Sequence, residues 1–284
     1  MSVDVRHGDC IEIMASMDAS SVDAIVTDPP YAEIDRAYGR MSEPEWHELM
    51  REVVKQSRRV LKPFGSAMFL LQANSEYVGR TRPWLWEFMA WTAREWNQVQ
   101  DVWAWNSAAT PTAHCQAKWG LTRPSVKACV WLGPPDCYRN QAAVLLEPSA
   151  AQSAEDEDDM NLRRPPSGQS IRRGRIARTV RERGGVTPFN LLVAPNSNSS
   201  SSAGAFGHGA GSPFPLMAWW CRYITPPGGL ILDPFLGSGT TMIAALRDGF
   251  RCIGIEREAE YVEIAKSRVR GDAPLFNTVG AEAP

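Results

Sequence analysis

Apolar positions along this chain keep two different rhythms, with a long stretch between them that keeps neither. The first clear signal is Val22–Thr27, a short, largely apolar and β-branched run that leads into Asp28-Pro29-Pro30-Tyr31. Such a run, rich in β-branched residues, marks a strand buried on both faces, as in a parallel sheet. The two prolines cannot continue a central strand. From 43 to 61 the apolar residues Trp46, Leu49, Met50, Val53, Val54 and Leu61 fall at helical spacing, and Ser42 with Glu45 fits a capping box. Lys62-Pro63 and Gly65 stop that helix, and 65–71 reads as a second buried strand. A helix heavy in aromatics is expected over 83–97. Strands follow at Gln98–Trp105 and 125–132.

After Gly133-Pro134-Pro135 the rhythm is lost. Residues 155–159 are five acids in a row, 163–183 hold eight arginines against one acid, Glu182, and 196–202 are rich in Asn and Ser. The stretch 136–212 is therefore expected to be an irregular insertion. Order returns with a helical pattern over 216–224 and a short apolar strand at 229–232. That strand runs into Asp233-Pro234-Phe235-Leu236-Gly237-Ser238-Gly239-Thr240. A helix over 241–247, a strand over 251–255 that ends at Glu256, and an amphipathic helix over 258–269 complete a βαβ unit. The fold class is therefore α/β.

The bulk properties add limits. The chain has 284 residues, 44% hydrophobic and 22% charged, with a net charge of −2. These are globular values. No apolar run nears the roughly 20 residues of a membrane span, and the N-terminus lacks the layout of a signal peptide, so a cytoplasmic protein is expected. Six cysteines without a Cys-x-x-Cys pair point to packed thiols. The adjacent His114 and Cys115 are poorly spaced for one ion, and no metal is expected. Eight of the eleven tryptophans lie from Trp84 to Trp131. They suit core packing and also base stacking. An acidic chain that binds nucleic acid has to do so through a local basic patch.

Two motifs carry chemistry. In the C-terminal unit a strand delivers Asp233, and Gly237 and Gly239 let the backbone turn tightly beside a helix N-terminus, where a ligand can lie close. Glu256, at the end of the next strand, can accept bonds from ribose hydroxyls. In the N-terminal motif Asp28 can accept one N–H of a planar amine. The Pro29 carbonyl can accept the other, and Tyr31 offers a stacking face. Each motif alone also fits a plain turn.

Together, Asp28-Pro29-Pro30-Tyr31 and Asp233 to Thr240 resemble the DNA amino-methyltransferases, which methylate adenine N6 or cytosine N4. Gly8-Asp9-Cys10 is similar to a segment of that family in which an acid contacts the cofactor adenine. The motif order resembles the permuted beta group. The resemblance implies a Rossmann-like, mostly parallel, seven-stranded sheet and S-adenosyl-L-methionine as methyl donor. It implies catalytic roles for Asp28, Pro29, Pro30 and Tyr31. Cofactor contacts would come from Asp9, Cys10, Asp28, Phe214, Asp233, Pro234, Phe235, Gly237, Ser238, Gly239, Thr240 and Glu256. Where many relatives have His-Pro-x-x-Lys-Pro, this chain has Ser212-Pro213-Phe214-Pro215, which would put Phe214 beside the methionine part. The resemblance divides the chain into a catalytic half (1–75), sheet completion with a target-recognition insertion (76–212), and a cofactor-binding half (213–284).

By the same resemblance the partner is DNA, with the target base flipped out of the duplex. A homodimer and a partner restriction nuclease are compatible with it, and the sequence selects neither. Relatives that methylate cytosine N4 more often carry Ser at the Asp28 position, so Asp28 favours adenine. RNA and protein-glutamine enzymes resembling this fold carry Asn there, with the cofactor motif upstream. A binding protein without activity would have no need of both motifs intact. The arginine segment, with Arg172, Arg173, Arg175 and Arg178, is the candidate DNA contact. Alanine at those four positions is expected to weaken DNA binding broadly. It should also flatten the log–log salt dependence by about 0.9 for each phosphate no longer neutralised. Titration of cognate and scrambled duplexes at several salt concentrations checks this; unchanged affinity and specificity would make the segment a solvated tail.

Overall fold

The computed structural model describes residues 3–35, 39–107, 109, 119–148, 179–194 and 212–272. In chain order its elements are β1 (Val3–His7), α1 (Cys10–Ser16), β2 (Val22–Thr27), α2 (Glu43–Val60), β3 (Leu61–Leu71), the hairpin β4 (Ser75–Tyr77) and β5 (Arg80–Thr81), α3 (Trp84–Glu95), β6 (Gln98–Trp105), β7 (Val126–Leu132), β8 (Leu191–Val193), α4 (Phe214–Ile224), β9 (Leu230–Asp233), α5 (Thr240–Arg247), β10 (Arg251–Glu256) and α6 (Ala259–Asp272).

All but the hairpin strands form one sheet in the order β1-β10-β9-β2-β3-β7-β6-β8. Neighbours from β1 to β3 are parallel, as are β6 and β8, while β7 runs antiparallel between β3 and β6. Side chains alternate between the two faces, as the pleat requires. Ala24, Val26, Met68 and Leu70 pack with α4, α5 and α6 on one face. Ile25, Ala67, Phe69 and Leu71 pack with α1, α2 and α3 on the other. Burial on both faces is why Val22–Thr27 lacks a solvated face; its polar residues are bonded, Asp23 to Lys62 and the Leu230 N–H, and Thr27 to Asp233.

From β9 the chain winds one way across the sheet, to β10; from β2 it winds the other, to β3. The β2–β9 boundary is thus the topological switch point, where open α/β sheets hold ligands at the carboxyl ends of their strands. Ala24 lies opposite Ile231 and Ile25 opposite Leu232.

The sheet has eight strands rather than the seven expected. The additional one, β8, lies at an edge and falls within the stretch read as irregular. Three residues are too few to establish a period. β1 and α1 were also missed by the apolar rhythm, since VDVRH mixes charges into a strand with a single neighbour.

Contacts divide the chain into two compact units, Met1–Arg139 with Asn190–Pro284, and Asn140–Phe189. The second has a 3-10 turn, Gln141–Val144, where the Asn140 side chain accepts from the Ala143 N–H. Leu146 pairs with Val186 in an antiparallel bridge. No helix among the described residues is long and apolar enough to cross a membrane.

Candidate active site

β2 delivers Asp28 at the switch point, and the turn after it is held by its carbonyls. Proline offers no N–H, so the Pro-Pro segment can be anchored only as an acceptor. The Trp46 indole N–H donates to the Pro30 carbonyl at 2.6 Å, and the Asn74 amide donates to the Ala32 carbonyl at 2.6 Å. Asn74 is oriented in turn by the Trp84 indole N–H at 2.9 Å. Both indoles are fully buried, with ring centroids 4.5 Å apart and edge to face. For these two tryptophans the packing reading is the right one, and packing here serves to hold the motif.

Three side chains surround the Asp28 carboxylate. Tyr31 donates its hydroxyl to Oδ1 at 2.8 Å, Ser212 donates to Oδ2 at 2.7 Å, and the Lys127 ammonium lies 3.6 Å from Oδ2. Lys127 also sits 5.6 Å from the Tyr31 ring centroid. Neither Ser212 nor Lys127 was singled out from the sequence for this role. Lys127 had a signal, being the one charge in the apolar strand VKACVWL.

On the adjacent strand Asp233 is buried. Its Oδ1 accepts from the Thr27 hydroxyl at 2.6 Å and from the Phe235 N–H at 3.1 Å, and Thr241 supplies a further side-chain bond. Burial outweighs these bonds and pushes the Asp233 carboxyl up to about 6. The glycine loop then turns with Gly237 at φ 52° and Gly239 at φ 85°, the left-handed region. At Gly239 an added Cβ would also lie 3.2 Å from Ala265 Cβ on α6, so the helix packs directly on the loop. Arg268 of α6 donates to the Ser238 hydroxyl at 2.7 Å and to its carbonyl. Thr240 begins α5.

Glu256, at the end of β10, accepts from the Gly237 N–H through Oε2 and from the Glu258 N–H through Oε1, each at 2.8 Å. Its carbonyl accepts from the Gly8 N–H at 3.0 Å, which brings the end of β1 alongside. Asp9 caps α1, accepting from the Ile11 and Glu12 amides at 2.8 and 3.2 Å. The buried Cys10 thiol is pushed up to about 12, mainly by desolvation, and stays neutral.

Asp9, Glu256, Asp233 and Asp28 therefore stand at the carboxyl ends of four consecutive strands, β1, β10, β9 and β2. Pro234, Phe235, Gly237, Ser238, Gly239 and Thr240 fill the loop beside them. Phe214 begins α4, two residues after Ser212, and its ring lies 4.8 Å from the Arg247 guanidinium. Arg172, Arg173, Arg175 and Arg178 lie outside the described residues, as do His114 and Cys115.

A doubly wound sheet with a glycine loop and acid-tipped strands at its switch point defines a Rossmann-like fold with a nucleotide-type ligand site. A family model described as DNA methylase, covering the N6 and N4 enzymes, matches residues 22–267. The chain belongs to that family of DNA amino-methyltransferases. It is 25% identical to the type II methyltransferase M.PvuII of Proteus hauseri, over 92% of this chain and 82% of that one. It is 25% identical to M.ScaI of Streptomyces caespitosus, over 94% and 81%. The fold is similar to that of the PvuII DNA methyltransferase, titled cytosine-N4-specific, with a TM-score of 0.72, 20% identity and coverage of 94% and 86%. It is also similar to TTHA0409 of Thermus thermophilus, solved in complex with S-adenosyl-L-methionine, with a TM-score of 0.61, 20% identity and coverage of 97% and 98%.

The raised Asp233 has a consequence for stability. A carboxyl with a folded value near 6 and an ordinary value of 3.8 binds more protons folded than unfolded between those pH values. Its contribution is present in full below about 3.8 and is lost as pH rises through about 6. Asp233→Asn is therefore expected to gain about 2 kcal/mol on the wild type between pH 4 and pH 6.5. Urea unfolding of both proteins across that range measures it. A constant difference would mean that Asp233 titrates normally.

Proposed function

We propose that this DNA methyltransferase transfers the methyl group of S-adenosyl-L-methionine to the exocyclic N6 amine of adenine in DNA. The observation that carries this reading is the β2–β9 pairing closed by the Thr27–Asp233 bond, which sets the Asp28 carboxylate beside the glycine loop. The loop residues fit the cofactor. Gly237 and Gly239 present backbone without Cβ atoms. Each carboxylate has about four acceptor positions. Glu256 therefore keeps capacity for ribose hydroxyls after its two amide bonds, as Asp9 does for the adenine.

When bound, the cofactor supplies a methyl group already activated on a sulfonium. The task left to this chain is to position and polarise the amine. Asp28 accepts one amine N–H and the Pro29 carbonyl accepts the other, which draws the nitrogen lone pair out of conjugation with the ring. The same two acceptors stabilise the positive charge that the nitrogen gains. Tyr31 stacks on the flipped base. The Trp46 and Asn74 bonds hold these groups in place, so little reorganisation is needed at the moment of reaction.

Adenine is favoured by the carboxylate at position 28. Cytosine N4 is the second reading, favoured by the likeness to M.PvuII, whose structure is titled cytosine-N4-specific. Methylation of a random DNA pool with labelled cofactor, followed by single-molecule modification sequencing, distinguishes them and reports the site. N4-methylcytosine alone would reverse the assignment.

Two substitutions test the division of labour. Asp28→Ala should lower single-turnover methyl transfer more than tenfold, which is more than about 1.4 kcal/mol of barrier, with cofactor affinity nearly unchanged by calorimetry. A variant that keeps its rate would remove Asp28 from the chemistry. Glu256→Ala should weaken cofactor binding by about 1.5–3 kcal/mol, roughly 10- to 100-fold. An unchanged dissociation constant would move the ribose site elsewhere.

A further inference from the structure

Lys127 is built into the motif pocket from a strand that the family motifs do not include. β7 is antiparallel, so its first residues lie at the same sheet edge as the last residues of β2, β3 and β6. Ala128 is opposite Leu71, and Lys127 is opposite Ala104. The rest of the strand, Ala128 to Leu132, is buried. Lys127 is held at 18% side-chain exposure and Asp28 at 16%, with 3.6 Å between ammonium and carboxylate. A pair so largely withdrawn from water carries a desolvation cost that offsets its attraction at that separation, so its net contribution to stability is small. Fold stability therefore gives little reason for a lysine at this point.

The chemistry of a base edge does give one. Lysine can only donate, and an ionised carboxylate can only accept. Side by side, they complement an amine next to an unprotonated ring nitrogen. Adenine and cytosine present that pair at the N6/N1 and N4/N3 edge; at the corresponding edge guanine and thymine present a carbonyl next to a ring N–H, which would set oxygen against the Asp28 carboxylate. Tyr31 and Ser212 use two of the roughly four acceptor positions on Asp28. That leaves room for the amine. Lys127 also lies over the Tyr31 ring, so a base stacked there would turn an edge toward the ammonium.

We propose that Lys127 is a substrate-contacting residue that donates to the ring nitrogen beside the target amine, so that Asp28 and Lys127 together select amino bases. The proposal rests on the reading that Asp28 receives the target amine. In the resting protein the Asp28–Lys127 pair holds the two groups side by side, and the base presents its amine to one and its ring nitrogen to the other.

A chemical double-mutant cycle tests this, on the site and base that modification sequencing identifies. Wild type, Lys127→Met and Lys127→Arg are assayed in single turnover on duplexes with the native target base, with 1-deazaadenine and with 7-deazaadenine. If the target is cytosine, 3-deazacytosine takes their place. Lys127→Met should lose at least about tenfold on the native base, the loss expected for one specific base contact. On one analogue it should lose nothing further relative to wild type, and that analogue identifies the nitrogen read. Lys127→Arg should retain more activity than Lys127→Met, because it keeps a charged donor. Cofactor affinity, measured in parallel, should be the same for all three proteins. Equal fractional losses for Lys127→Met on native and deaza bases would overturn the proposal and leave the amine reading standing. Absence of any labelled amine in wild-type reactions would overturn both.

Discussion

A single buried bond, from the Thr27 hydroxyl to the Asp233 carboxylate, joins residues 206 positions apart and closes the seam on which the site depends. On one side of it the chain winds from β9 to β10 and carries the glycine loop. On the other it winds from β2 to β3 and carries Asp28-Pro29-Pro30-Tyr31. Parallel strands whose crossovers diverge leave a crevice between their carboxyl ends. Every group assigned to the cofactor or to the base is placed relative to that crevice.

Placing four acids along one sheet edge is unfavourable unless each is compensated. The compensation differs from one to the next. Asp9 and Glu256 bind backbone amides, and Asp28 has two hydroxyls and a neighbouring ammonium. Asp233 is fully buried, and that desolvation raises its carboxyl even with three bonds. An edge so rich in carboxylates suits a cofactor that is cationic at its reactive sulfur and carries donor hydroxyls on its ribose.

The turn from Asp28 to Tyr31 depends on aromatic packing from α2 and α3. Trp46 and Trp84 are core residues by burial, yet their indole N–H groups reach Pro30 and Asn74. A buried tryptophan needs a partner for its N–H. Here that need orients the carbonyls and amide next to Asp28, so the core and the site are stabilised by the same contacts.

Much of this was legible along the chain. Val22–Thr27 needs no tertiary knowledge to be read as a buried strand, because burial on both faces leaves a short, mostly apolar and β-branched run. The glycine loop and Glu256 were legible because turn geometry and strand ends leave local marks. β1 and β8 were not, since an edge strand is half solvated and a three-residue strand has no period. The sequence by itself therefore determined the class of fold, the two motifs and the order in which they occur. Only the tertiary structure decided that Ser212 reaches Asp28, and that an antiparallel strand brings Lys127 beside it. The reason is physical. A residue's type and spacing record the local backbone, but contacts between strands distant in sequence are set by sheet order and direction, which no local pattern encodes.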